Sequence, residues 1–240
     1  MIVISAGVPK SGSTLLMVYA RDLLSLEFGK SGQNNFENWV KNGPVGGIEA
    51  FPWENWVDYF QELEQLAKLS GPFVLKTHKP FSELEKFLCN PNVKIIYSIR
   101  DPRDIVLSAL DHGRRSRAMN DSVFTDCYDL ETTISIVSNW CELAMPWINA
   151  NGVEIFRYEN LVQYPDIQVI RLANYLGISR SSESAQKVVI EERTSRQPIK
   201  NQFNKGMTER FSSEMADEDI CRTENMLKKH IHAFGYSIYS

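Results

Sequence analysis

The chain has no apolar run near the ~18 residues that a membrane-crossing helix needs, and its N-terminus has no basic flank of the kind that opens a secretory leader. A cytoplasmic protein without a membrane partner is the expectation. Cysteine is sparse: Cys89, Cys127, Cys141 and Cys221 are scattered without a C-x-x-C pair, so neither a disulfide framework nor a cysteine zinc site is suggested. His230 and His232 have no ligand types beside them in sequence, and no metal is expected. Positive charge is in the minority, with a net charge of −4, which argues against a nucleic-acid partner and makes any anion site a local one. Repeats, low-complexity tracts and linkers are also missing. What remains is 240 residues of ordinary globular composition, 43% hydrophobic and 23% charged, read as one domain over 1–240.

Short β-rich runs alternate with helical patterns. "MIVIS" opens the chain, "PFVLKTH" covers 72–78, "VKIIYSIR" covers 93–100, and "GVEIFRYE" at 152–159 supplies a fourth strand. Near-continuous apolar strands separated by helices predict an α/β fold with a central parallel β-sheet flanked by helices on both faces. Helices are predicted at about 13–28, 53–69, 102–118, 129–150, 165–176 and 217–233. Some carry their own punctuation: Asp101-Pro102 reads as an N-cap followed by an N1 proline, and Gly177 as a C-cap glycine. The stretches 29–52 and 194–216 lack clear periodicity and are read as long functional loops. The stripe Trp53, Trp56, Tyr59, Phe60 has helical spacing and reads as a packed face.

Between the first strand and the first helix lies "GVPKSGST" at 7–14. Gly7 and Gly12 have the spacing of the phosphate loop G-x-x-x-x-G-K-[ST], yet Ser13 stands where the lysine belongs and the only lysine of the stretch is Lys10. A strand, a glycine turn and a helix start aim backbone N–H groups and a helix dipole at one spot, which favours an oxyanion. Without a lysine after Gly12 the loop is poorly equipped for terminal nucleotide phosphates. Lys10, inside the turn, is placed to meet the atom that joins a bound phosphate to a transferred group.

With these features the chain resembles the sulfotransferases that use 3′-phosphoadenosine 5′-phosphosulfate (PAPS) and release 3′-phosphoadenosine 5′-phosphate (PAP). The family's Pro-Lys-Ser-Gly-Thr-Thr is matched by Pro9-Lys10-Ser11-Gly12-Ser13-Thr14, and its Lys-Thr-His by Lys76-Thr77-His78. A strand ending in Arg with Ser eight residues on is matched by Arg100 and Ser108. Tyr-Glu-Asp is echoed by Tyr158-Glu159-Asn160, and a late Lys-Gly by Lys205-Gly206. The resemblance implies a P-loop-like domain that transfers the sulfuryl group from PAPS to a hydroxyl or amine of a small-molecule acceptor, with no metal. It implies that Pro9 to Thr14 hold the 5′-phosphate, and that Arg100, Ser108, Lys205 and Gly206 hold the 3′-phosphate. Tyr158, Thr194, Ser195 and Arg196 complete the donor site. His78 is implied as general base, Lys10 as the cation for the bridging oxygen, and Lys76 and Ser108 as their catalytic neighbours, Ser108 restraining Lys10 until an acceptor arrives.

The sequence departs from the family's pattern in places. Leu15 stands where an adenine-stacking Trp is common and Arg196 where a Phe stacks on the other face; an aliphatic side chain and a guanidinium plane can sandwich a base, and which residues replace the aromatics is left open. Asn204 replaces an Arg before Lys205-Gly206, with Arg196 or Lys200 as the compensating cation. The family's dimerisation segment is not found, leaving monomer and homodimer both open. Acceptor contacts are expected from 29–52, 79–82 and 111–126. Arg114, Arg115 and Arg117 in the last segment either touch an anionic acceptor or form a solvated helix end. Two other readings stand beside the leading one: a P-loop kinase for a small molecule or nucleotide, and a non-catalytic PAP-binding sensor.

Overall fold

A computed structural model describes residues 1–42, 56–179, 183, 185–188 and 206–238. Four parallel strands, β1 (Ile2–Gly7), β2 (Phe73–Lys76), β3 (Val93–Ile99) and β4 (Val153–Arg157), form a sheet in the order β2-β1-β3-β4. β1 is buried along its whole length, as a central strand covered on both faces must be, and this explains its unbroken small and apolar sequence.

The period of two along each strand sorts the core into two clusters. Ile2, Ile4, Ala6, Leu75, Ile95, Tyr97 and Ile99 pack against α3 (Phe60–Ser70), α5 (Pro102–Ala118), α6 (Leu130–Asn149) and the helix Asp217–Ala233. Val3, Val74, Ile96 and Phe156 pack against α1 (Ser13–Phe28) and α8 (Pro165–Leu176). A short α4 (Phe81–Leu84) follows β2, and α7 (Tyr158–Gln163) follows β4.

The expected loop at 29–52 is in part a helix, α2 (Ser31–Asn42). Its asparagines and glycine hide a buried face of Gly32, Phe36 and Val40 at four-residue spacing. Phe36 stacks on Phe73 with ring centroids 4.4 Å apart. Gln33 exchanges hydrogen bonds with the Val74 peptide group, accepting from its N–H at 3.0 Å, so the helix covers the edge of β2. The predicted helix at 53–69 begins, among the described residues, as a 3₁₀ turn at Trp56–Tyr59 before α3. Trp56 and Phe60 are packed on Phe87, as the stripe suggested; Trp53 lies outside the described residues.

At the end of β3 the chain builds an ionic hub. Asp101 caps α5 by accepting from the Arg103 N–H at 2.9 Å, and its second oxygen takes Arg103 Nη2 at 2.7 Å. Arg103, 2% exposed, also donates to Glu224 of the helix Asp217–Ala233 and to the Ser237 carbonyl. Removing one partner of a buried ion set leaves uncompensated charge, which typically costs ~3–5 kcal/mol. Arg103→Met is therefore expected to lower stability by about that amount, read as a fall in the urea midpoint at unchanged slope. A loss below about 1 kcal/mol would show that the hub is not what pins this helix.

Candidate active site

β1 lies between β2 and β3, so the chain leaving Gly7 rises between Lys76-Thr77-His78 on one side and Ser98 to Arg100 on the other. The loop is fastened from below. The Val8 N–H donates to the Ser98 carbonyl at 3.2 Å, and the Ser11 hydroxyl donates to the same carbonyl at 2.9 Å while lying 2.6 Å from Ser98 Oγ. Gly7 is needed for that approach, since a Cβ there would lie 2.1 Å from Ser98 Oγ. Gly12 has φ +85°, and a Cβ there would lie 2.4 Å from Tyr158 Cδ2. Lys10 also adopts a left-handed conformation, φ 70°, which turns its side chain up out of the loop. Gly12 supplies α1 with no side-chain cap, so N–H groups of the first helical turn have no intrahelical partner and face the space above the loop.

Cations gather around that space. Lys76 Nζ donates to Thr14 Oγ1 at 2.9 Å, and burial lowers its pKa to about 8. Lys10 is likewise lowered to about 8, first by burial and then by the charges of Arg115, Lys76 and Arg100, against which only Asp111 acts. Arg100 is 5% exposed; its Nη2 donates to Asp104 at 3.0 Å and to the Met207 carbonyl at 2.9 Å, and its guanidinium lies 4.3 Å from the Tyr158 ring centroid. Arg100 Nε is buried without a hydrogen-bond partner among the described residues. A buried charged donor left unpaired is costly. Two lysines with depressed pKa values, an orphaned guanidinium nitrogen and an uncapped helix start together fit an anionic ligand with more than one oxyanion.

His78 stands across from the loop. Its Nδ1 is 2.9 Å from the Gly7 carbonyl. A carbonyl can only accept, so the proton sits on Nδ1 and the lone pair on Nε2. Burial, opposed by the bond to Gly7 and helped by Lys76 and Lys10, lowers the His78 pKa to about 4. The ring is thus neutral and in the tautomer that can accept a proton on Nε2.

The remaining expected residues fall into place unevenly. Pro9 and Thr14 are half-buried at the loop, whereas Ser11 and Ser13 are buried. Ser11's hydroxyl is turned under the loop, so in this conformation it shapes the cradle and only the backbone faces upward. Tyr158 is buried between Gly12 and Arg100 and holds both. Gly206, φ +64°, brings Met207 onto Arg100. Thr194, Ser195, Arg196, Lys200, Asn204 and Lys205 lie outside the described residues.

Two expectations are corrected. Leu15 is 2% exposed and belongs to the core cluster beneath α1; an aliphatic side chain there joins the apolar interior and does not face a base. Ser108 is buried, but the partner of Lys10 is His112, with Nζ to Nδ1 at 2.8 Å. The contact with the ammonium means that Nδ1 of His112 accepts. His112 also packs on Phe124, ring centroids 4.7 Å apart, and the Lys10 ammonium lies 5.4 Å from the same ring. Sequence reasoning missed His112 and Phe124, although His112 is four residues after Ser108 and so on the same face of α5. A close approach seats Phe124: a Cβ at Gly113 would lie 2.5 Å from the Phe124 carbonyl. Ser98, the loop's anchor, was missed as well. No group of three or more His, Cys, Asp or Glu among the described residues could hold a metal ion, and no helix among them is long and apolar enough to cross a membrane.

A family model described as "Sulfotransferase domain" matches residues 2–235. The chain is 24% identical over 201 residues to cytosolic sulfotransferase 14 of Arabidopsis thaliana, covering 79% of this chain and 57% of that protein. It spans just over half the length of the curated relatives it matches over most of its own length. Among solved structures, a mouse sulfotransferase complexed with PAP superposes with a TM-score of 0.62 at 14% identity, over 96% of this chain and 84% of that one. A retinol dehydratase in complex with androsterone and inactive cofactor PAP gives 0.59 at 16% identity, over 96% and 80%. At these identities the structural likeness is one of fold.

The depressed histidines make stability depend on acid. His78 and His112 have folded pKa values of about 4 against an ordinary 6.5, so between those values the unfolded chain binds more protons and stability falls as pH drops. His78→Gln is expected to flatten the decline of Tm between about pH 6.5 and pH 4 relative to the wild type, with parallel curves above that window. Parallel curves throughout would contradict the buried neutral imidazole. Gly12→Ala meets both the Tyr158 ring and an unfavourable φ, and is expected to cost ~1–3 kcal/mol, measured by urea unfolding.

Proposed function

The chain belongs to the sulfotransferase domain family, and on that premise we propose that it transfers the sulfuryl group of PAPS to a hydroxyl or amine of a small-molecule acceptor. The observation that carries the reading is the meeting, at the carboxyl ends of β1 and β2, of two lysines with lowered pKa values and a neutral histidine whose tautomer leaves the Nε2 lone pair to accept a proton. A protein that only bound a nucleotide would need the cations and no proton acceptor among them. PAP in the complexes of the structural neighbours supports the choice of donor.

The backbone N–H groups at the start of α1, with Thr14, hold the 5′-phosphate. Arg100, through its unpaired Nε, and Ser108, with the Lys205-Gly206 segment, hold the 3′-phosphate; a guanidinium suits the geometry of a phosphate. Holding both ends of the donor fixes the sulfuryl group in space, and positioning supplies much of the acceleration when a group moves in line between two oxygens. The acceptor oxygen or nitrogen forms its bond to sulfur, and its proton goes to His78 Nε2. The bond from sulfur to the bridging oxygen breaks, and the charge that develops on that oxygen is met by Lys10, released from His112. PAP and the sulfated acceptor leave, and His78 returns its proton to water. Lys76, beside Thr14, stabilises the same developing charge.

Calorimetric titration tests the donor: PAP is expected to bind without Mg²⁺ and ATP feebly, whereas ATP preferred only with Mg²⁺ would make a kinase the better reading. Because an oxyanion beside Lys10 and Lys76 raises their pKa values above about 8, PAP binding near pH 8.5 is expected to take up protons. Titration in buffers of different ionisation enthalpy measures that uptake, and its absence would place the phosphates elsewhere. His78→Ala is expected to keep PAP affinity while lowering turnover ~10²–10⁴-fold. Equal loss of binding and turnover would remove His78 from the role of base.

A further inference from the structure

The three arginines of α5 near the site do different things. Arg114 is exposed, 3.9 Å from Asp111 at its closest. Arg117 donates to the carbonyls of Thr125 at 2.8 Å and Cys127 at 3.2 Å, tying the segment after α5 back to the helix. Arg115 is half-buried, and its Nη2 is buried without a hydrogen-bond partner among the described residues. Of the carboxylates in this neighbourhood, Asp111 is taken up by Arg210 at 2.7 Å, and Asp121 acts on His112. Arg210 in turn is shared with Glu214 at 2.7 Å.

Arg115 lies on the working face of α5. Ser108, His112 and Arg115 are spaced i, i+4 and i+7, so they form one stripe, and Lys10 is seated on its middle member. Arg115 also leads the neighbouring charges that disfavour the protonated form of Lys10. Seven residues of helix separate it from Ser108, a rise of about 10 Å. From the turn after β3 onward along α5 the order is therefore Arg100, then Ser108, then the seat of Lys10, then Arg115. The groups assigned to the donor's phosphates stand before the seat of Lys10, and Arg115 stands beyond it, on the side those groups leave to the acceptor.

The geometry points to Arg115 as a specificity residue for the acceptor: besides its reacting hydroxyl or amine, the acceptor carries an oxyanion, a carboxylate or a sulfate or phosphate ester, which Arg115 receives. This rests on the sulfotransfer reading above. An unpaired guanidinium nitrogen beside an ammonium is satisfied by a bidentate oxyanion, which also relieves the repulsion on Lys10. A neutral acceptor would leave that nitrogen unpaired in the closed site.

The test takes the full chain and begins with PAP titration of the wild type; failure to bind PAP would overturn the sulfotransfer reading itself. On protein that binds PAP, a panel of aromatic, sugar and aliphatic hydroxyl and amine compounds is titrated in the presence of PAP, each paired with a counterpart bearing a carboxylate or sulfate. At least one anionic member is expected to bind about tenfold or more tighter than its neutral partner. Arg115→Met is expected to erase that preference while PAP affinity stays within about twofold, and Arg115→Lys to restore only part of it. If no anionic member outbinds its neutral counterpart, or if Arg115→Met leaves the preference intact, the inference is overturned. A tenfold loss of PAP affinity in Arg115→Met, with the preference unchanged, would assign the arginine to the donor's phosphate and overturn it as well.

Discussion

The carboxylate of Asp101 is the point on which the arrangement depends. Its oxygens cap α5 and hold Arg103, while its backbone N–H donates to Glu159 at 3.1 Å. The other oxygen of Glu159 accepts from the Tyr236 hydroxyl at 2.6 Å. Through Arg103 and Glu224 the same hub reaches the helix Asp217–Ala233. The end of β3, the start of α5, the turn after β4 and the final described segment thus meet in one network of satisfied charges. Arg100 precedes this hub by one residue and Ser108 follows two turns later, so their separation is set by a capped and anchored helix start. Buried polar networks of this kind are stabilising only when every member is paired, and here the pairing is what gives the anion-binding groups fixed positions.

A second fastening acts on the loop after β1. Ser11 and Ser98 clamp the loop to β3, and the Gly7 carbonyl takes the proton of His78. One turn of chain therefore sets both the cradle of N–H groups and the tautomer of the histidine. On the proposed mechanism the group that receives a proton and the groups that hold the donor are referenced to the same backbone, which is the coupling that catalysis by positioning requires.

Much of this was legible beforehand, and the reasons differ by element. The sheet was readable because β1 and β3 are apolar on both faces, a pattern that only a covered parallel sheet explains. α5 and α8 were readable to their ends because Asp101-Pro102 and Gly177 punctuate them. α2 was hidden because its buried face, Gly32, Phe36 and Val40, is thin and four of its other positions are asparagine, a weak helix former. In the site, residue types and order were legible, and directions were not. A serine in a phosphate loop reads as a ligand, yet Ser11 turns downward to Ser98; a leucine after the loop reads as a stacking surface, yet Leu15 belongs to the core. The partner of Lys10 was misassigned for the same reason. Ser108 and His112 are equivalent by helix period, and only the packing of Phe124 against the ring decides between them.

The left-handed backbone of Lys10 has a consequence for how such a site persists. A side chain at φ 70° is disfavoured by roughly 1–2 kcal/mol relative to the right-handed region, and glycine alone would adopt it without strain. At this position the residue that best suits the fold is one that carries no charge. If Lys10 acts as proposed, selection for a sturdier protein and selection for a working one pull in opposite directions at this single codon, and the lysine records which of them has prevailed.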